Sequence, residues 1–435
     1  MSNSKTKRVA AESIGRTDRR SFLGGVGAAT GLTSVFGRGD AEKAEGGRSG
    51  PGGSGATYYV YRSNDRYRVA SNENGGVEFT TDGVSNAEEA FQYAFDNVPD
   101  RGGTVVADTD EFRFGAPAEM YDRTLLTGSA GTRFVASSTG SRVGFTEREL
   151  SVGHDLIRVR GDEAAVANIE FDAADTRLDN HAVQAENCDG LIIANNRTIN
   201  GFQMALSFAE CRNVVVRDNE VIDPNWYGIT SRGARDDLDL RRSRDVLIQG
   251  NRVTDVTFNN IAPYNVGNFS VVGNFCSRGG HSLIACSPSQ QGTIVGNVCR
   301  DLELEPIAAD PGGEAGLEIE YKQTHVLDDI QDTADETSFD LTVANNHVEN
   351  CGVGFIARTV PVDEDDETEF RRTKRPHSFS VTGNAINDCG TGVLIRSGAD
   401  GVIATNTLRG NDIQIDVREP PFAENIRVDL NVTRG

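Results

Sequence analysis

Apolar and polar positions alternate in short runs that repeat along most of the chain. From about residue 180 onward, a β-branched or other apolar residue often stands three positions before an asparagine. Alternation over a few positions predicts short strands with one buried face. The asparagines that mark the repeat are Asn196, Asn219, Asn251, Asn274, Asn297, Asn346, Asn384, Asn406 and Asn431.

The spacing of these asparagines predicts the fold. It is 22–25 residues where the repeat is regular, with three longer intervals of 32, 49 and 38. Such a period indicates a solenoid in which each repeat forms one coil of short strands. We therefore predict an all-β parallel β-helix of about ten coils. Its asparagine amides should hydrogen-bond from coil to coil, with each asparagine in the left-handed conformation at a turn.

The cysteines follow the same repeat. Cys188 and Cys211 are 23 residues apart, as are Cys276 and Cys299. Equivalent positions in adjacent coils are close enough for disulfides, although parallel Cβ vectors disfavour the geometry. Two interpretations stay open: disulfides between adjacent coils, or a stack of reduced thiols in the core. The sequence has no Cys-x-x-Cys or His-x-His pattern, which argues against a zinc site.

The N-terminal third divides into segments of different composition. In residues 1–40, Arg19-Arg20 precedes a short glycine-rich apolar run, which resembles a twin-arginine export signal and is too short for a transmembrane anchor. Residues 41–57 are a Gly/Pro/Ser-rich linker. In the cap region, 58–103, a capping box from Ser85 to Glu88 predicts a helix to about Asn97. We place the β-helix at 104–435. The expected apolar face of the helix is Ala87, Ala90, Phe91, Ala94 and Phe95.

The net charge of the chain indicates the environment of the protein and the partners it can have. The net charge is −22, from 43 basic and 65 acidic residues, and three lysines follow residue 40. An acidic, lysine-poor surface is typical of a protein from a halophile, such as a halophilic archaeon. A nucleic-acid partner is excluded because such a protein presents a basic face. With the export signal, this composition predicts a protein that is secreted or associated with the cell surface.

Several motifs occur in the order expected for one superfamily. The capping helix is followed by Gly102-Gly-Thr-Val105, then by Gly128-Ser-Ala-Gly-Thr132, and then by the asparagine coils. Over residues 80–435 this order resembles the pectate-lyase superfamily of right-handed parallel β-helices. The resemblance implies that the sheet formed by the first strand of each coil would hold an active site for sugar polymers. Lyases, hydrolases, epimerases and non-enzymatic surface proteins all use this scaffold.

Long segments flank the first strands of several coils. They span residues 233–243, 301–314, 322–337 and 360–377. Insertions around one sheet predict the walls of a binding groove. Stacking the outward positions predicts two columns on this sheet. One column contains Thr230, Ala262, Ile284, Glu318 and Ile356, and the other contains Arg232, Tyr264, Cys286, Glu320, Arg358 and Arg396.

The strand from Gly316 to Lys322 carries the candidate chemistry. Its alternation directs Glu318 and Glu320 outward. Carboxylate oxygens suit Ca²⁺, with Asp310 or Asp301 as a further ligand. Lys322 is the candidate base because its pKa can be lowered. The candidate catalytic residues are Lys322, Arg358 and His281, and the candidate substrate-binding residues are Arg232, Trp226, Tyr227, Tyr264 and Arg396.

Three functions follow from these residues. The paired glutamates, Lys322 and Arg358 resemble the cluster of the alginate-lyase and chondroitinase-B family, which implies β-elimination on a uronic-acid polymer. An inverting glycoside hydrolase is the first alternative, since outward residues two apart on a strand lie roughly 6.5–7 Å apart. The second is a non-catalytic surface or adhesion protein, with the glutamates on a solvated strand face. Trp226 is either a platform for a sugar ring or packed under a loop.

Overall fold

The computed structural model describes residues 55–434 except 109, 138–139, 144–148, 153, 175–179, 232–240, 303–314, 329–330, 332, 334–335 and 361–372. The predicted export signal and most of the predicted linker lie outside the described residues. So do two candidate site residues, Arg232 and Asp310.

Three long sheets of stacked strands confirm the parallel β-helix. A typical coil runs through His181–Glu186 in sheet 1, Ile192–Ala194 in sheet 2 and Arg197–Ile199 in sheet 3. Neighbouring coils pair in register, as Ile193 does with Val216. Inward side chains from all three sheets form one continuous core, which no coil could bury alone.

Sheet 1 has 11 strands in the described part of the chain. They are Ala118–Met120, Ile157–Val159, His181–Glu186, Met204–Ala209, Tyr227–Thr230, Asn259–Ala262, Ile284–Cys286, Ala315–Lys322, Val353–Val360, Thr391–Ile395 and Ile413–Val417.

Sheet 2 has 16 described strands, and the second of them pairs antiparallel with both the first and the third. They are Ala56–Arg62, Tyr67–Ser71, Val77–Thr80, Gly103–Ala107, Thr124–Gly128, Ala165–Ala167, Ile192–Ala194, Arg212–Arg217, Ser243–Gln249, Val266–Val272, Gln290–Val295, Phe339–Ala344, His377–Thr382, Gly398–Ala404, Ala423–Glu424 and Arg427–Asp429.

Sheet 3 has 12 described strands, and Gly140–Val143 and Glu149–Val152 form a separate antiparallel pair. The strands of sheet 3 are Glu111–Phe114, Arg133–Ala136, Glu170–Asp172, Arg197–Ile199, Glu220–Ile222, Arg252–Val256, Phe275–Gly279, Val298–Arg300, His347–Glu349, Ala385–Asn387, Thr407–Arg409 and Val432–Arg434.

The asparagine ladder is confirmed, and one detail of it is corrected. Asn297 is typical: its backbone N–H and its Nδ2 both donate to Asn346 Oδ1 at 2.9 Å, and Nδ2 also donates to the Val271 carbonyl at 3.0 Å. The left-handed residue is not the asparagine but the one before it, as at Gly273 (φ 64°) and Gly296 (φ 68°). The bend one residue earlier leaves the asparagine side chain pointing into the stack.

The cap helix spans Ala87–Asp96, and the five apolar residues predicted for its inner face are all buried. The predicted capping box is wrong. Asn86 is the N-cap residue and makes no side-chain cap hydrogen bond. Glu88 Oε2 instead accepts a hydrogen bond from the Gly115 N–H at 2.9 Å, so tertiary contact replaces local capping. No helix in the described residues is long and apolar enough to cross a membrane.

All seven cysteines are free and buried. Cys276 and Cys299 pair directly in adjacent strands of sheet 3. Burial and the neighbouring Cys276 raise the pKa of the Cys299 thiol well above its ordinary value, which keeps it protonated. The cysteines therefore pack as a stack of core thiols.

Candidate active site

The two outward glutamates of the strand Ala315–Lys322 are completely buried. Leu317 and Ile319 face the core, while the exposed fractions of Glu318 and Glu320 are 0% and 1%. The alternative of a solvated strand face is therefore wrong. Burying two carboxylates on one strand requires compensating charge or protonation, because desolvation disfavours the ionised form.

Arg358 supplies the compensating charge from the next coil. It pairs in register with Glu320 and is itself only 2% exposed. Its Nε forms an ion pair with Glu318 Oε1, and its Nη2 lies 3.4 Å from Glu320 Oε2. One guanidinium thus faces both carboxylates, as the predicted proximity of these three residues requires.

Two residues from the preceding coil complete the surroundings of Glu318. Ser282 Oγ donates a hydrogen bond to Glu318 Oε2, and His281 Nδ1 lies 3.9 Å from the same oxygen. His281 Nε2 lies 3.4 Å from Arg358 Nη2, and its Nδ1 lies 3.3 Å from Asn259 Nδ2. Ser282 was not among the predicted site residues, although its place one coil before Glu318 was available from the repeat.

Glu320 contacts a histidine that was not among the predicted site residues. His325, in the 3₁₀ turn Gln323–His325, places Nδ1 3.5 Å from Glu320 Oε1. Its ring packs against Tyr264, with 4.5 Å between centroids. Glu320 Oε2 is buried and makes no hydrogen bond within the described part of the chain. The nearby Arg358 Nη2 faces this oxygen as an ion-pair partner.

The environment of Glu318 raises its pKa. Burial, as the largest effect, and then the negative charge of Glu320 raise its pKa, while Arg358, His281 and the Ser282 hydroxyl act in the opposite direction. The net result is a pKa above the ordinary range for a carboxyl. A buried carboxyl with a raised pKa is a common feature of acid–base sites.

An aromatic stack positions His281. Trp226 lies 4.4 Å from Phe258 with nearly parallel rings, and Phe258 stacks on His281 at 4.2 Å. Trp226, Tyr227 and Tyr264 are all buried. The burial of Trp226 agrees with the alternative in which it packs under a loop.

The predicted register is wrong in one coil. Ile284 pairs with Leu317 and Cys286 pairs with Ile319, so both face the core and not the outer surface. Ala285 and Ser287 take the outward positions, and Ser287 bridges to Tyr264. Consecutive apolar residues at Leu283, Ile284 and Ala285 fit the repeat in either register, and the sequence pattern alone selected the wrong one.

Positive charge continues beyond Arg358. Arg396 and Arg418 follow it in the next two coils, as the pairs Ala357–Ile395 and Ile395–Val417 show. Burial lowers the pKa of the half-buried Arg396, and the charges of Arg358 and Arg418 lower it further. Lys322 lies at the end of the glutamate strand and is half-buried. The three arginines form a ladder of like charge that an anion would stabilise.

The chain after the glutamate strand folds back over the cluster. Tyr321 donates a hydrogen bond to Glu336 Oε1 at 3.2 Å, and Lys374 forms an ion pair with the same oxygen. The His325 carbonyl accepts a hydrogen bond from Asn265 Nδ2 at 2.7 Å. Together these contacts hold the described residues of 323–337 against the sheet.

The described residues contain no group of three or more His, Cys, Asp or Glu side chains arranged to hold a metal ion. Both carboxylates predicted to bind Ca²⁺ already face the Arg358 guanidinium. The donor set therefore does not fit a calcium ion in this arrangement.

No protein-family model matches the chain, and no curated protein matches it in sequence. Solved structures do match in fold. The A-module of a mannuronan C-5 epimerase from Azotobacter vinelandii has a TM-score of 0.54 at 13% identity, over 81% of this chain and 97% of that one. The catalytic unit of a GH87 α-1,3-glucanase from Streptomyces thermodiastaticus gives 0.55 at 16% identity, over 80% and 66%.

A third similar structure is PfbA, a surface adhesin of Streptococcus pneumoniae, with a TM-score of 0.53 at 12% identity, over 80% of this chain and 89% of that one. At these identities the likeness shows the fold alone. The protein has the fold of right-handed parallel β-helix proteins, and its function has to be argued from the site.

Proposed function

We propose that the protein cleaves an acidic polysaccharide, with Glu318, Glu320 and Arg358 as its catalytic centre. The observation that carries the proposal is the pair of buried carboxyls on one strand. One has a raised pKa, and the other has an oxygen that makes no hydrogen bond to any residue the structure describes. They lie on the sheet whose flanking segments suggested a groove.

A purely structural role explains this cluster poorly. A buried ion network stabilises a fold no better than apolar side chains of similar volume, because desolvation offsets the attraction. The same outward column holds Ala285 and Ile356 in the coils on either side of Glu318. The fold therefore accommodates small or apolar residues here, and charge at this point favours a functional role.

Hydrolysis is the reaction that these groups support best. Protonated Glu318 would donate its proton to the glycosidic oxygen as the bond from carbon to that oxygen breaks. Glu320 would accept a proton from the attacking water, whose oxygen forms the new bond to the same carbon. Glu318 and Glu320 are two residues apart on a strand, so their Cα atoms lie roughly 6.5–7 Å apart. The two carboxyl groups of an inverting pair are separated by about 6.5–9.5 Å.

The arginine ladder favours an acidic polymer. Guanidinium groups bind carboxylates in a bidentate manner, and adjacent coils would present Arg396 and Arg418 to successive parts of a chain. An anionic substrate would also offset the positive charge of Arg396 and Arg418, since Arg358 already faces two carboxylates. A uronic-acid polymer supplies carboxylates at regular intervals.

β-Elimination is the second candidate, and the same ladder favours it. A lyase must neutralise the carboxylate next to the carbon that loses a proton, and an arginine does this without a metal. Lys322, at the end of the glutamate strand, is its candidate base. Calcium held by Glu318 and Glu320 stays a prediction, and we derive no step through it because Arg358 occupies these carboxylates.

The test is to incubate the protein in concentrated salt with polygalacturonate, alginate and a neutral α-1,3-glucan. New reducing ends on an acidic polymer, without ultraviolet-absorbing unsaturated ends, are expected. Unsaturated ends would show that the protein is a lyase. Their loss when a chelator is added would support the predicted role of calcium. Binding without cleavage would select the adhesion alternative. Cleavage that survives Glu318→Gln and Glu320→Gln would overturn the assigned site.

Export by the twin-arginine signal is a separate proposal, supported by Arg19-Arg20 and the apolar run after them. Replacing both arginines by lysine should leave the protein inside the cells that make it. Unchanged secretion would contradict this.

A further inference from the structure

A second group of buried polar side chains lies on sheet 1, well away from Glu318. In the strand His181–Glu186, Val183 and Ala185 face the core. His181 and Gln184 are 8% and 4% exposed, and neither belongs to the apolar core cluster.

Gln184 stands in the same outward column as Glu318. The column continues through Ser207, Thr230, Ala262 and Ala285. Five strand spacings of about 4.8 Å separate the two residues by roughly 24 Å. This distance is too long for His181 and Gln184 to take part in the same chemical step as Glu318.

Asp155, from the preceding coil, fixes the His181 ring. Its Oδ1 lies 2.8 Å from His181 Nδ1 and accepts a hydrogen bond from the His181 backbone N–H at 3.2 Å. Its Oδ2 accepts from Arg158 Nε at 2.6 Å. Because a carboxylate accepts, Nδ1 carries the hydrogen and Nε2 is left for another partner. Nε2 is buried and has no hydrogen-bond partner among the described residues.

Gln184 has a similar unpartnered atom. Its Nε2 donates to Glu186 Oε1 at 3.1 Å, which fixes the orientation of the amide. The amide oxygen, Oε1, is buried and accepts no hydrogen bond within the part of the chain that the structure describes. A buried polar atom left in this state is unfavourable. A ligand that supplies hydrogen-bond donors would remove the penalty.

The charges nearby identify the chemistry of that ligand. Asp155 is paired with Arg158, and Glu186 forms an ion pair with Arg160. The site therefore has no excess positive charge for a carboxylate, in contrast to the arginine ladder. The Gln184 oxygen requires a donor, and a hydroxyl group both donates and accepts, so it suits His181 Nε2 in either protonation state.

We propose that His181 and Gln184 form a distal subsite that binds sugar hydroxyl groups of the same polysaccharide chain whose cleavage is assigned to Glu318 and Glu320. This inference rests on the proposed function, because one chain must span both places. It implies that a long polymer uses about 24 Å of sheet 1 that a short oligosaccharide does not reach.

The test compares chain lengths. Gln184→Leu and His181→Leu are assayed on polygalacturonate and alginate and on short oligosaccharides of each. Thr293→Val, which removes a hydroxyl hydrogen bond on sheet 2, is the matched control. Each subsite variant should raise KM for the long polymer about tenfold, the effect of one lost hydrogen bond. kcat and the kinetics on oligosaccharides should stay unchanged. Equal effects on both lengths, or none, would overturn the subsite.

A binding measurement separates this proposal from the proposed function. Mobility in native gels containing polygalacturonate or alginate is measured for Glu320→Gln protein, with and without Gln184→Leu. Loss of retardation in the double variant supports the subsite even if no polymer is cleaved. Retardation by neither polymer, or retardation unaffected by Gln184→Leu, overturns it. Gln184→Leu is the decisive variant because His181→Leu also removes a partner of buried Asp155, and thermal unfolding checks that both fold.

Discussion

The molecule contains two buried stacks of polar side chains, and they differ in how completely their atoms are paired. In the asparagine ladder, every interior amide repeats the same set of hydrogen bonds to the next coil and to a backbone carbonyl, as Asn297 does. In the charged cluster, two carboxyls face one guanidinium, and Glu320 Oε2 accepts no hydrogen bond within the described residues.

This difference separates structure from function. A fully paired neutral ladder fixes the register of the coils and leaves nothing for a ligand to contact. An incompletely paired, charged cluster is costly for folding. The Glu320 oxygen, unsatisfied among the described residues, and the raised pKa of Glu318 are properties that acid–base catalysis can use. If this division holds, substitutions in the asparagine ladder should lower stability and substitutions in the charged cluster should lower catalytic activity.

The largest expected effect is on catalysis. Glu318→Gln and Glu320→Gln each remove a proton-transfer group while keeping the shape of the side chain. We expect cleavage of the acidic polymer to fall by about 10²–10⁴-fold with little change in thermal stability. Product release from the polymer and thermal unfolding are measured together. Asn274→Ala, in the ladder, is the control and should show the opposite pattern.

Loss of the central arginine should cost the most stability. Arg358→Met leaves two buried carboxyls without a counter-charge, and we expect about 3–5 kcal/mol lower free energy of unfolding. The triple variant with Glu318→Gln and Glu320→Gln should recover much of that loss. Denaturant unfolding of both variants measures it. If the triple variant is no more stable than Arg358→Met, the coupling inferred from the ion pairs is wrong.

Breaking the asparagine ladder should lower the stability of the fold without changing catalytic activity. Asn297→Ala removes the Nδ2 donor to the Asn346 oxygen and the Val271 carbonyl, and it removes the oxygen that accepts from the Asn274 N–H and Nδ2. These losses should lower the free energy of unfolding by about 1–3 kcal/mol. Activity per folded molecule should stay at the wild-type level. A large loss of activity with normal stability would contradict the division between the two stacks.

The smallest effect is the pH dependence of stability. The pKa of Glu318 in the folded protein lies above its ordinary value of 4.5, so the folded state holds a proton that the unfolded chain has released. The stability from this group is complete below about pH 4.5 and falls as pH rises through the folded pKa. Glu318→Gln should flatten this part of the profile, while Asn297→Ala should keep its shape. Hydrolysis should decline over the same rise in pH, because the acid loses its proton.

Much of the fold could be predicted because the repeat is one-dimensional. Asparagines such as Asn274 and Asn297 recur at nearly constant intervals, since each bonds to the equivalent residue one coil away. The same register predicts that Glu320 lies beside Arg358, and the two residues do pair in the structure. It failed at Ile284, where a run of apolar residues fits two registers.

The environment of the site could not be predicted in this way. His325 reaches Glu320 from a turn outside the repeat, and Ser282 binds Glu318 across coils. Contacts of this kind follow no period, so the repeat does not predict them.

The sequence by itself determined the coils, the ladder and the inward or outward direction of most strand residues, because neighbouring coils interact by a repeated local rule. Only the tertiary structure decided that Glu318 and Glu320 are enclosed and that Arg358 faces both. It alone also showed that His181 and Gln184 each have an atom without a hydrogen-bond partner in the described part of the chain. Burial and pairing depend on distant segments meeting in space, and they are what shift a pKa or leave an atom free for a ligand.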